Sequence, residues 1–195
     1  MRLCRVALVV PLIGLALSFG GCVTLTPGQQ VNLEEMRVFS KRVTDAYGKS
    51  PVYILVGGLN DRAGATMEAG GLMRFSTLRL DPGLNRDWLL AHELGHYVLA
   101  HRWTNGDTLS QTAPREMEAN AEAVKILVVG LGVSEDVAYR RVHEALWGLE
   151  RSVRSGTRAL PRGHAPICEE IANLVARYPA YSEGSRLCVA QVGGR

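Results

Sequence analysis

The sequence predicts a single α+β domain, and three observations predict it. One amphipathic helical pattern stands near the start, a Gly-punctuated stretch of short apolar runs follows, and four helical patterns fill the rest. Strands grouped before helices, rather than alternating with them, are the mark of an α+β arrangement. A length of 195 residues, 47% hydrophobic and 21% charged, supplies one packed core and excludes disorder over the whole chain.

The elements can be justified in order. Residues 22–31 are polar and read as a tether. Asn32 caps the first helix, with Glu35 in the capping-box position. Met36, Phe39, Val43 and Tyr47 form its apolar face, and Gly48 ends it. Val52 to Val56 is a continuous apolar run after a proline, a buried strand. Residues 57–71 are Gly-rich turns with one short strand. Leu72 to Leu80 reads as a further strand, between Gly70-Gly71 and Asp81-Pro82-Gly83.

From Asn85 the pattern is helical, with Asp87 in the first turn and a stop near Trp103 set by Asn105-Gly106. A polar loop to Ala113, with the position of a lid, leads to Pro114 and a second helix ending at Gly130 to Gly132. Ser134 caps a third, and a last helix runs from Pro166 to Arg177. An arginine-rich stretch, Arg140 to Arg162, reads as a solvated helix face paired with acids, the alternative being contact with anionic lipid.

The first 21 residues read as a signal peptide. Arg2 and Arg5 precede an uncharged run, Val6 to Phe19, long enough for export and short for a spanning helix. Gly20-Gly21-Cys22 resembles a bacterial lipobox, which implies lipidation of Cys22 and a membrane attachment through lipid. An uncleaved anchor helix and plain secretion are the alternatives. Residues 32–195 are then the folded domain. In such an oxidising compartment Cys168 and Cys188 form an even pair, expected as a disulfide. The formal charge of +3 falls to about neutral once the leader is removed, which excludes a general nucleic-acid binder.

The chemistry concentrates in His92-Glu93-Leu94-Gly95-His96. On a helix, positions i and i+4 lie one turn apart on one face, so both imidazoles reach one metal ion. Glu93 cannot ligate from the same face, but it can take a proton from metal-activated water and act as general base. Such a pattern arises by chance in about 0.01 of chains of this composition. His101 reads as a helix-end or supporting histidine.

With Arg115-Glu116-Met117-Glu118-Ala119-Asn120 and Gly163-His164-Ala165-Pro166 added, the chain resembles gluzincin-type zinc metallopeptidases, closest to the membrane-associated CAAX-prenyl-protease-like group. The ImmA/IrrE-like peptidases share the first two elements. The resemblance implies a zincin-like domain, a small sheet packed on the metal helix and a Glu-bearing helix. It implies one Zn2+ per chain held by His92, His96 and Glu116, with Asn120 behind a zinc histidine and His164 near the metal. Asn120 stands where the family more often has Asp.

The implied function is a zinc endopeptidase of the bacterial cell envelope, facing the periplasm and cleaving unfolded or envelope polypeptide. The alternatives are a catalytically silent binding or chaperone lipoprotein of that fold, and a regulatory ImmA/IrrE-like peptidase; the leader speaks against the last. Glu116 shares a helix face with Asn120, whereas Glu118 shares one with Glu122 in what reads as solvated surface. The Leu72–Leu80 strand is the expected edge for an extended substrate.

Overall fold

A computed structural model describes residues 24–57, 64–68, 70–80, 84–104 and 106–181. The expected signal peptide, Cys22 and Cys188 lie outside the described residues. Helix α1 spans Pro27–Ala46, and strands β1, β2 and β3 span Tyr53–Val56, Ala65–Glu68 and Leu72–Phe75. Helices α2 (Leu84–Val98), α3 (Leu109–Leu131), α4 (Glu135–Arg154) and α5 (Ile167–Arg177) follow, so the chain is α+β as expected.

The first helix begins five residues before the expected Asn32 cap. Thr26 and Gln29 form a reciprocal capping box, and Pro27 occupies the first helical position, where its missing N–H costs nothing. The expected tether is therefore partly helix. Its apolar face is the expected one: Leu33, Met36, Phe39 and Val43 are buried. Phe39 packs so tightly on α3 that a side-chain carbon at Gly130 would overlap its ring.

The sheet has the order β1-β3-β2. β1 runs parallel to β3, with Tyr53 opposite Leu72, and β2 runs antiparallel to β3, with Ala65 opposite Phe75. β3 is therefore the central strand. This overturns the assignment of the Leu72–Leu80 segment as the open edge; among the described strands β1 and β2 lie at the edges, and β2 is the one that packs on α2. The extended run is also shorter than expected, because Ser76 caps a 3-10 turn over Thr77–Arg79.

Helix α2 stops five residues short of Trp103. Ala100 takes a left-handed conformation (φ 57°), and the His101 N–H returns to the His96 carbonyl at 3.0 Å. That bond spans five residues, the closure of a Schellman turn. Helix α3 starts before Pro114, not at it, because Thr108 and Gln111 form a second capping box. Leu109 to Ala113 are thus helix, and the proposed lid is reduced to Gly106–Thr108. Ser134 caps α4 and Pro166 precedes α5, both as expected.

Helices α2 and α3 pack backbone to backbone. A side-chain carbon at Gly95 would sit 2.9 Å from the Ala119 carbonyl oxygen, closer than carbon atoms tolerate. The absence of a side chain there lets the two helices that bear the key residues approach directly. Among the described residues, no helix is long and apolar enough to cross a membrane.

Candidate metal centre

Helix α2 carries His92, Glu93 and His96, and α3 carries Glu116 and Asn120. All five are buried. His92 Nε2 and His96 Nε2 are 3.1 Å apart, and they lie 3.0 and 3.4 Å from Glu116 Oε2. One ligating atom from each of the three residues falls within 4.8 Å of the others, a group able to hold one metal ion. His164, arriving from the segment before α5, brings its Nε2 to 3.2 Å from the same carboxylate oxygen.

The outer nitrogens decide which face each histidine offers. Asn120 Oδ1 lies 3.0 Å from His92 Nδ1 and accepts a hydrogen bond from Trp88 Nε1 at 3.2 Å. Its Nδ2 donates to Glu170 Oε2 at 2.9 Å. Trp88 can only donate and the Glu170 carboxylate only accepts, so the amide orientation is fixed. His92 therefore donates from Nδ1, and in the neutral ring Nε2 is a bare lone pair.

A second relay does the same for His96. Its Nδ1 lies 2.9 Å from His101 Nδ1, and His101 Nε2 lies 3.1 Å from Glu118 Oε2. With Glu118 accepting from His101 Nε2–H, His101 Nδ1 accepts from His96, and His96 also offers a bare Nε2. Both inner nitrogens are thus presented as metal ligands are, each backed by a chain ending on a carboxylate.

The inner side lacks a matching donor. With His92 and His96 neutral and donating outward, Glu116 Oε2 is buried and accepts no hydrogen bond. Two imidazole lone pairs and a carboxylate oxygen facing one another repel unless a cation or a proton lies among them. The residues present fit a metal ion on that ground.

In the metal-free chain a proton on His92 takes the place of that cation. Burial opposes charge on His92, but Glu116 beside it, with Glu93 and Glu170 near, prevails and pushes it up to about 9. His96 is pushed down to about 4 by burial, with His92 and His101 adding to the effect against Glu116. Glu116 is held far below the usual carboxylate range, because His92 and His96 outweigh its burial. Glu93 moves the other way. Burial, reinforced by Glu116 and opposed by His92, lifts its carboxyl to about 7.

These residues stand in a cleft of about 1320 Å³. Its lining includes Gly64 to Met67 of the β2 segment, and Met67 gives Glu93 a backbone hydrogen bond. Trp103 closes one side, its ring 5.3 Å from that of His96, with the Arg115 guanidinium 5.4 Å above it.

The expected cluster of His92, Glu93, His96, Glu116, Asn120 and His164 is therefore brought together. Glu118 points away from it, as expected. Glu122 departs from the reading of solvated surface: it is buried, and Tyr47 donates to it at 2.5 Å. Three arginines of the α4 region pair with acids as expected, Arg140 with Asp136, Arg141 with Asp87 and Arg154 with Glu150. Cys168 is disulfide-bonded; the Cys188 expected as its partner lies outside the described residues.

Sequence reasoning missed Glu170 and Trp88. Glu170 has no solvent exposure and receives Asn120 Nδ2 on one oxygen and His164 Nδ1, at 2.9 Å, on the other. A signal existed: Glu170 falls on the apolar stripe of α5 between Ile167 and Leu174, where a carboxylate needs partners. No protein-family model, no curated protein and no solved structure matches this chain.

Proposed function

We propose that this chain is a zinc-dependent endopeptidase with a zincin-like domain. In this reading it is held in the bacterial cell envelope by lipid on Cys22 and acts on unfolded or envelope polypeptide. The observation that carries the reading is the convergence of His92 Nε2, His96 Nε2 and the Glu116 carboxylate in a cleft, with Glu93 beside them. Two imidazoles and one carboxylate are a ligand set that suits zinc and leaves a coordination position open.

Bound there, zinc would supply a Lewis acid for a peptide carbonyl and lower the pKa of water. His92, His96 and Glu116 would hold it. Glu93 takes the proton of the attacking water and delivers it to the leaving amine. Glu93 stands next in sequence to the ligand His92 and lines the same cleft, which places its carboxylate for both transfers. His164 gives its Nδ1–H to Glu170, so in its doubly protonated form it donates from Nε2 to the carbonyl oxygen as charge develops there. The β2 edge pairs with the substrate main chain, which is tolerant of sequence.

The test is zinc content together with casein cleavage by the parent chain and by Glu93→Gln. The variant is expected to keep one zinc and lose at least about a hundredfold in rate. Loss of zinc from the variant would make Glu93 a ligand. A zinc-loaded parent chain that cleaves nothing would make the protein a binding module instead. The anchor has its own test: Cys22→Ser is expected to shift the protein from the membrane fraction to the soluble one.

A further inference from the structure

Trp103 stands apart from the other tryptophans. Trp88 is buried and Trp147 half-buried, whereas Trp103 keeps 41% of its surface exposed while lining the cleft. Its place follows from the early stop of α2. Had the helix run on, residue 103 would stand seven residues, or about 10 Å, beyond His96. The turn at Ala100 folds the chain back instead, and the indole ring lies 5.3 Å from that of His96. There the ring is braced. The Arg115 guanidinium lies over it at 5.4 Å, within cation–π range. Arg115 Nη1 donates to the Arg102 carbonyl at 2.7 Å and to Asp107 Oδ2 at 2.6 Å. Asp107 accepts in turn from the Thr104 N–H at 3.1 Å and from the Thr104 hydroxyl at 2.5 Å. Such bracing costs conformational entropy without burying the ring, which suits a preorganised contact surface rather than a piece of core.

We propose that Trp103 walls an apolar subsite, and that the preferred polypeptide carries an aromatic or long aliphatic side chain next to the bond that is cleaved. The proposal rests on the peptidase reading. The position comes from the distance to the ligand. A peptide carbonyl brought to His92, His96 and Glu116 lies beside the His96 ring. The 5.3 Å between that ring and Trp103 is shorter than the rise of two residues along an extended peptide, about 6.6 Å. The residues that flank the carbonyl are therefore the ones that meet the indole. The chemistry comes from what the ring already holds. Its exposed surface is apolar and is removed from water by another ring or a branched chain. A cationic side chain is disfavoured, because Arg115 already lies over the ring and repels a second positive charge.

The test uses the Glu93→Gln protein loaded with zinc and fluorescein-labelled, unstructured Gly/Ser peptides with one variable position, occupied by Phe, Leu, Ala or Lys. Anisotropy is expected to show about tenfold tighter binding of the Phe and Leu peptides than of the Ala peptide, and no gain for Lys. In Trp103→Ala the ratio is expected to fall toward one with zinc content unchanged, and in Trp103→Phe to survive in large part. Tyr53→Ala removes an exposed aromatic that does not line the cleft, and is expected to leave the ratio as it was. Mass spectrometry of peptides cut by the parent chain is expected to place the cleaved bond directly beside the Phe or Leu. Equal binding of all four peptides, with casein still cleaved, overturns the subsite and leaves the peptidase reading standing. A preference that survives Trp103→Ala, tighter binding of Lys, or cleavage two or more residues away overturns it too. Loss of zinc from Trp103→Ala would make the ring a support for His96 and overturns the subsite as well. Absence of all binding, with no cleavage by the parent chain, overturns both readings.

Discussion

Asn120 and Glu170, fifty residues apart in sequence, meet through a 2.9 Å hydrogen bond in which the amide donates to a carboxylate with no solvent exposure. The negative charge behind His92 is thereby placed one residue further back than the direct His–carboxylate pair would put it. Glu170→Gln is expected to weaken zinc binding about ten- to a hundredfold. Asn120→Asp alone sets two carboxylates together in the interior and is expected to lower thermal stability. The double variant returns the charge to position 120 and is expected to recover much of the affinity. Competition with a chromogenic chelator reads all three.

The two glutamates of α3 separate cleanly. Glu116→Ala is expected to leave almost no bound metal. Glu118→Ala should keep full stoichiometry, with affinity lowered by up to about tenfold through the lost His101 contact. Metal analysis of the purified variants checks this. Full metal in Glu116→Ala would put the ligand elsewhere.

Gly95→Ala is expected to cost about 1–3 kcal/mol in urea unfolding, because the clash is with helix backbone that cannot swing away. Zinc affinity should fall with it, since the ligands sit on the two helices forced apart. Gly130→Ala also meets an occupied space, the Phe39 ring, but far from the ligands. It is expected to lower stability while zinc affinity stays unchanged.

Tyr47 supplies a pH dependence on the alkaline side. Its burial, then the hydrogen bond to Glu122, hold the hydroxyl well above the ordinary value. The folded state keeps the proton that the unfolded chain releases near pH 10. This contribution is complete below about pH 10 and is lost as pH rises past it. Urea unfolding between pH 9 and 11 should show stability declining, with a shallower decline in Tyr47→Phe. Tyr178, pushed up to about 12 by burial and then by Glu135 and Glu122, leaves a residual slope.

The residues read best from sequence were those whose relation is local. His92 and His96 share a helical turn, as do Glu116 and Asn120, so pattern alone placed them correctly. Boundaries failed where two local signals competed. Thr26 with Gln29 displaced Asn32 as the first cap, and Thr108 with Gln111 started α3 ahead of Pro114. The stop at Ala100 carried no glycine to announce it. The order of the sheet was not legible, because which strand becomes the edge depends on pairing across the chain. Glu170 was hidden for the same reason: its partners, Asn120 and His164, come from other segments.

β2 combines two properties that usually conflict. A strand edge left open invites pairing with any other exposed edge, including that of a second copy of the chain, and so favours aggregation. Here the β2 edge is four residues long and lines the same cleft as His92, His96 and Glu116. A strand so short offers little length for pairing with a second copy of the chain, yet enough for the few residues of an extended peptide that the proposed function requires.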